Sequence, residues 1–326
     1  MIPRFVRRAY GRLRGEFVSS AVRREVERLS RGPRRIALGP WLGEVGFELL
    51  YWVPFLRWAV EYGHLDPARI VAVSRGGPAS WYRGLAGEYR DVFEFVEPVD
   101  YREKNERRAR EVGEQKQVRR AAFDDELIGR VEAALGESCE WLHPALMYRA
   151  MQPYWWKHAS IGWVARHARF AKLEPPDAPP GTAEPGTYTA VKFYFNDALR
   201  ETPDNRAAIG TILRRLTDRG PVIALSSRVS IDDHADANDG LPVGTPREMS
   251  ASDNLDAQTA IIARSRGFVG TYGGFCYLAP FLGVATTAVY GDERGFDHAH
   301  LALARAVFAE VGAPAFEVRE LRAALA

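Results

Sequence analysis

At 326 residues and 46% hydrophobic, the chain carries enough apolar material for about two globular domains, which excludes a disordered protein. Its formal net charge of +2 singles out no class of partner. Its two cysteines, Cys139 and Cys276, match neither a disulfide framework nor a zinc spacing and are read as reduced thiols of a cytosolic protein. No apolar signal region opens the chain. Neither apolar run reads as a membrane span: 47–60 is broken by Glu48, Pro54 and Arg57, and 275–290 is short and holds Pro280.

Charge is unevenly placed, with eleven Arg against three Glu in residues 1–35. Residues 4–29 read as a helix in which Val6, Tyr10, Leu13, Phe17 and Val18 recur at helical spacing between arginines. Such a helix suits an anionic membrane surface through residues 1–30; the alternative is a solvated basic helix packed on the protein's own body. Residues 35–39 then predict a buried strand, and 46–62 a helix. Strands follow at 69–74 and 92–96, with helical segments between them. This βαβαβ punctuation implies a parallel sheet. Residues 102–135 are charged and helical in composition, and are read as an excursion from the first domain. The basic part of that run, 102–120, suits an anionic acceptor or membrane. Residues 139–143 predict a further strand. The aromatic stretch Tyr154-Trp155-Trp156-Lys157-His158 suits a packed helix better than a sugar-stacking wall.

A proline-rich stretch at 174–186 divides a first domain, 1–174, from a second, 187–326. The second half restarts the alternation. Strands are predicted at 189–195, 221–227, 267–270 and 286–290. Helices are predicted at 203–219, with Thr202 as N-cap and Pro203 in its first turn, at 255–266, and from Phe275 to Leu282. Two more helices, at 300–311 and 318–325, close the chain. The fold class expected is α/β, with two Rossmann-like, doubly wound domains.

Doubly wound sheets bind ligands beyond the carboxyl ends of their strands. The unusual loops fall at such ends: Gly39–Gly46, including Gly43 and Gly46, after the first strand; Asn196 after the Lys192 strand; Arg228 after Ser226-Ser227; and Thr271-Tyr272-Gly273-Gly274 after Val269. The last loop opens a helix, so its backbone N–H groups suit a diphosphate, although a tight strand-to-helix turn would look the same. Lys192 interrupts an apolar strand and either sits on an edge or reaches toward phosphate; Arg228 offers a fork for phosphate oxygens. Asp253 or Asn254 caps the next helix, and Asp256 or Gln258 in its first turn suits a sugar hydroxyl. Asp232, Asp233, His234, Asp236, Asn238 and Asp239 do not match a calcium loop, so no metal is expected. His298 and His300 are two apart and share no helix face.

Residues 252–292, SDNLDAQTAIIARSRGFVGTYGGFCYLAPFLGVATTAVYGD, resemble the donor-side signature of GT-B glycosyltransferases, the heptosyltransferase-like families in particular. Gly43-Glu44-Val45-Gly46 is similar to the turn after their first strand. Thr271-Tyr272-Gly273-Gly274 stands where those families carry Asp-Ser-Gly. The resemblance implies two domains in a GT-B arrangement, facing across a cleft. It implies inverting transfer from a nucleotide-sugar donor to a glycan or lipid-linked acceptor, with no metal and no cofactor. An acidic residue of the first-domain loop would be the general base: Glu44 by its position in the turn, then Glu48 one helical turn on. Lys192, Arg228 and the N–H groups of Gly273 and Gly274 would stabilise the leaving diphosphate. The location implied is the cytoplasm, peripheral on the inner face of the membrane. A nucleotide-sugar epimerase and a noncatalytic sugar-binding protein are the rival readings; nucleic acid finds no module here.

Overall fold

A computed structural model describes residues 4–177, 183–225 and 249–325. The chain packs as two compact units, each built on a parallel sheet. Met1–Gly43, Leu50–Arg75 and Trp81–Phe170 form the first; Glu44–Leu49, Gly76–Ser80 and Ala171–Ala326 form the second. The two short stretches that count with the second unit are those that follow the first two strands.

The first unit opens with α1 (Arg4–Arg31), then β1 (Ile36–Leu38). The expected helix at 46–62 is interrupted. α2 (Val45–Phe47) runs into a π-helical turn, Glu48–Trp52, before α3 (Val53–Gly63). Pro54 has no N–H to give to the turn before it, and the ladder widens there. β2 (Ile70–Ser74), β3 (Glu88–Asp91), α4 (Pro98–Val112), α5 (Ala122–Leu135), β4 (Glu140–Leu142), α6 (Pro144–Trp155) and α7 (Gly162–Ala165) complete the unit. Strand order is β3-β2-β1-β4, all parallel. β1 and β2 are buried along their whole length, as strands covered on both faces must be.

The second unit contains β5 (Thr189–Lys192), α8 (Pro203–Asp218), β6 (Val222–Ala224), α9 (Asn254–Arg264), β7 (Gly267–Thr271), α10 (Gly274–Phe281), β8 (Thr286–Tyr290), α11 (His298–Glu310) and β9 (Phe316–Glu320). Its order is β6-β5-β7-β8-β9, again all parallel. Val191, Phe193, Leu199, Ile209, Leu213 and Val289 form the core between its sheet and α8. Thr202 caps α8 as expected, accepting from the Asn205 N–H at 3.1 Å.

Three expectations are corrected. The third strand is residues 88–91, not 92–96: Asp91 and Glu94 form a reciprocal capping box that turns the apolar run into a 3-10 turn. Residues 318–325 do not form a helix. Phe316–Glu320 instead pairs with β8, from Thr286↔Phe316 to Tyr290↔Glu320, and its charges suit a sheet edge. Residues 102–135 are no excursion. Tyr101, Phe123, Leu127 and Val131 are buried in the first unit. The charges of α4 are largely satisfied locally, through Arg107–Glu103 (2.8 Å), Arg110–Glu106 (3.8 Å) and Lys104–Glu126 (2.5 Å).

Candidate functional site

In the second sheet the chain moves one way from β5 to β6 and the other way to β7. The crevice of such a sheet lies between the carboxyl ends of the two strands at the reversal. These are β5 and β7, whose register ends at Lys192↔Gly270. Lys192 and Thr271 are the last residues of these two strands, and Asn196 and residues 272–274 follow them.

Lys192 is buried, which removes the edge reading. Its ammonium donates to the Leu225 carbonyl at 3.2 Å and lies 4.5 Å from the centre of the Phe275 ring, in the first turn of α10. Thr271 ties the two strands together: its hydroxyl accepts from the Tyr194 N–H (3.0 Å) and donates to the Tyr194 carbonyl (2.8 Å). Asn196 holds its own turn, accepting from the N–H groups of Ala198 (2.9 Å) and Leu199 (2.8 Å), and donates to the Tyr272 carbonyl at 3.3 Å. Tyr272 is buried against Phe296 and accepts from the Tyr277 hydroxyl at 2.7 Å; burial pushes its pKa up to about 12, so it stays protonated at neutral pH.

Gly273 and Gly274 are glycines for two different reasons. Gly273 has φ +153 and ψ −156, a backbone region open almost only to glycine, and a Cβ there would run into the Tyr194 hydroxyl. Gly274 starts α10, and a Cβ there would lie 2.8 Å from the Gly46 nitrogen and 3.0 Å from the Val45 Cβ. A Cβ on Gly46 would in turn lie 3.2 Å from the Gly274 Cα. The two glycine motifs, 228 residues apart in the chain, are therefore one close backbone approach. Glu44 immediately precedes it.

Glu44 is the exposed N-cap residue of α2, with extended backbone (φ −72, ψ 148), and its side chain makes no capping bond. Glu48 is 1% exposed and heads the π-helical turn. The two carboxylates therefore differ in kind: Glu44 is open to solvent and Glu48 is packed within the fold. The first unit holds the loop that leads to Glu44. Gln117, fully buried, accepts from the Leu42 N–H and donates to the Pro40 carbonyl, both at 2.9 Å, and its amide also reaches Asp124 at 2.9 Å. Tyr101 donates to the Leu42 carbonyl (3.0 Å) and Arg75 to the Gly43 carbonyl (2.7 Å). Burial raises the Asp124 pKa, but His143, Gln117 and the Ala121 N–H outweigh it and leave the carboxyl below its ordinary value.

Asp253 occupies the N-cap position of α9 without a capping bond, and Asn254 accepts instead from Gln258 at 2.5 Å. Asp256 accepts from the Ser80 hydroxyl at 2.5 Å and the Ser80 N–H at 3.2 Å, which anchors α9 to the 76–80 stretch. Gly76, at φ +86 in the same stretch, accepts from the Leu255 N–H at 2.7 Å. Arg228 and the acidic 232–239 run lie outside the described residues. Among the described residues no three His, Cys, Asp or Glu side chains come together as a metal site. His300 packs edge-on against Phe47 (4.8 Å between ring centres). Tyr154 and Trp155 pack within the first unit, Trp155 against Tyr51 and Tyr148, while Trp156 is exposed.

Tyr194, Arg75, Ser80 and Gln117 are site or support residues that the sequence reading missed. Arg75-Gly76-Gly77-Pro78 had a legible signal, because it follows β2 at a strand's carboxyl end just as the 39–46 loop follows β1. Gln117 had none.

No protein-family model and no curated protein matches the sequence. Among solved structures, the chain is similar to E. coli ADP-heptose lps heptosyltransferase II, at 13% identity over 88% of this chain and 89% of that one, with a TM-score of 0.47. It is also similar to a glycosyl transferase family 9 protein of Veillonella parvula DSM 2008, at 13% identity over 88% and 86%, with a TM-score of 0.44. A third similarity is to the glycosyltransferase SnogD of Streptomyces nogalater, at 12% identity over 89% and 88%, with a TM-score of 0.36.

Proposed function

We propose that this chain is a GT-B-type glycosyltransferase that moves a sugar from a nucleoside-diphosphate sugar to a hydroxyl of a glycan or lipid-linked acceptor. The observation that carries this reading is the approach of Gly46 to Gly274 after the strand reversal of the second sheet. It sets a solvent-open carboxylate, Glu44, one residue from a segment packed on the start of α10, where a helix N-terminus favours an anion. The resemblance of residues 252–292 to a donor-side signature supports the same assignment.

In the proposed reaction the acceptor oxygen attacks the anomeric carbon as the bond from that carbon to the diphosphate oxygen breaks. The acceptor proton passes to the Glu44 carboxylate, and the nucleoside diphosphate leaves with the bonding electron pair. Lys192 and the α10 N-terminus offset the charge that develops on the diphosphate. Attack opposite the leaving group inverts the anomeric centre, and the reaction as written needs no metal. Glu44 is favoured over Glu48 because only the exposed carboxylate can meet an acceptor without unpacking the fold.

Thermal melts with nucleoside diphosphates and nucleotide sugars test the donor site, since a ligand of the native state raises the melting temperature. One nucleotide class should raise it; a folded protein that no nucleotide stabilises ends the reading. Glu44→Gln should keep that shift and lose transfer by about 100-fold or more. Retained turnover in Glu44→Gln removes Glu44 as base and leaves the donor site standing. The anomer of the product, and turnover in a chelator, test inversion and metal independence.

A further inference from the structure

The turn that joins α6 to α7 closes α6 with a Schellman motif. Trp156 is the C-cap, the Lys157 N–H donates to the Tyr154 carbonyl (2.9 Å) and the His158 N–H to the Pro153 carbonyl (2.9 Å). The residue after such a cap takes the left-handed conformation, and helices usually give that place to glycine. Here it is Lys157, at φ +60; His64 is the one other non-glycine residue with positive φ among the described residues. A strained backbone kept at one position points to a use for the side chain that stands there.

Lys157 borders a cavity of about 540 Å³ between this turn and α1. Trp163 is part of its apolar lining and is held rigidly. Its indole N–H donates to the Ala150 carbonyl at 2.8 Å, and the Arg166 guanidinium lies 4.7 Å from its ring centre. Glu16 is the single carboxylate in the lining among the described residues. Arg166 grips it through both terminal guanidinium nitrogens, at 2.6 and 2.8 Å, so the pair is neutral within itself. Lys157, His158 and Ser160 complete the polar lining, and the Lys157 ammonium has no ion-pair partner among the described residues. The cavity therefore carries a net positive charge, with three side-chain donors around an open volume.

We propose that this cavity binds a small phosphate monoester with a hydroxylated body, and that Lys157 anchors the phosphate. The uncompensated ammonium calls for an anion, and the Ser160 hydroxyl and the His158 ring offer further donors to its oxygens. The volume lies within the range of small-molecule sites and exceeds what a bare phosphate fills, so the ligand carries a body. Each Glu16 oxygen that accepts from Arg166 keeps a lone pair for a hydroxyl of that body. No lining residue belongs to the donor or base assignments above, so the inference stands whether or not the chain transfers sugars.

Calorimetric titration of the full chain with glucose 6-phosphate, glucose and inorganic phosphate, at constant ionic strength, tests it. The sugar phosphate should bind at least about tenfold more tightly than either of the others, since glucose lacks the charge and phosphate lacks the body. Lys157→Gln should weaken its binding about tenfold or more. Lys157→Gly is the sharper variant. It should weaken binding as much and yet melt no lower than the parent chain, because glycine suits the left-handed turn. Neither change should alter a thermal shift given by a nucleoside diphosphate. A folded chain that does not bind the sugar phosphate overturns the proposal, and so does binding that both Lys157 variants keep. Phosphate that binds as tightly as the sugar phosphate overturns the hydroxylated body. A nucleoside diphosphate shift lost with Lys157 gives the cavity to the nucleotide and overturns the assignment as well.

Discussion

Replacing Gly273 by alanine tests the site geometry at a single atom. The new Cβ meets two obstacles: a backbone at φ +153 and ψ −156, and the Tyr194 hydroxyl oxygen in its path. The backbone strain costs about 1–3 kcal/mol, and the overpacking another 1–3 kcal/mol or so. Only the second part depends on Tyr194. Tyr194→Phe deletes the offending oxygen, and the nearest remaining ring atom, Cζ, lies 3.4 Å from the added Cβ, an ordinary contact. Tyr194→Phe alone is measured beside it, so that its own cost is subtracted in the cycle. The double variant should therefore be more stable than the sum of the single losses predicts, by about 1–3 kcal/mol. Denaturant melts of the four proteins measure this coupling, with nucleotide-induced thermal shifts read on the same set. Losses that add to within about 0.5 kcal/mol would show that the glycine makes no room for the hydroxyl, and the placement of Tyr194 under the loop would be wrong.

Gly274→Ala should disturb the Glu44 segment more than Gly46→Ala, since its Cβ meets backbone nitrogen at 2.8 Å where the other meets Cα at 3.2 Å. The expected result is transfer reduced by about 100-fold for an ångström of misplacement, with nucleotide binding retained; unchanged turnover in Gly274→Ala refutes the contact's role. His167 gives a pH test in the first unit. It is buried, Ser19 Oγ lies 2.8 Å from its Nε2, and burial holds its pKa at about 4 against an ordinary 6.5. The folded state keeps it neutral while the unfolded chain takes up a proton. Its stabilisation is therefore complete above pH 6.5 and is lost as pH falls toward 4. Between about pH 7 and about pH 4.5 the loss is about 2 kcal/mol, seen as a steeper fall in denaturant midpoint than His167→Gln shows; equal slopes refute it.

Much of the fold is written in short range. β1, β2, β5, β7 and β8 are local apolar runs bounded by turn residues, and the alternation with helices implies parallel sheets without any partner being known. Thr202-Pro203 marks the start of α8 within two residues. The candidate loops were legible for the same reason: a strand's carboxyl end is a local feature, and in a doubly wound sheet it is where ligands collect. Residues 92–96 and 318–325 misled because an apolar run and a helical spacing are weaker than a capping box or an available sheet edge. Both of those depend on what stands beside the segment.

What the tertiary structure alone decided is which of these local features meet. Glu44 and Glu48 look equivalent in sequence, four residues apart in one run, yet one is open to solvent and the other is 1% exposed. Gly46 and Gly274 each signal a turn, but that they face one another depends on folding the chain between them, since they stand 228 positions apart. Gln117 carries no motif at all, and it matters because its side chain, rather than a neighbouring strand, pairs the Leu42 N–H and the Pro40 carbonyl. Local sequence sets backbone preference over a few residues. Burial, close approach and hydrogen-bond satisfaction are properties of neighbours distant in the chain, and no short-range pattern encodes them.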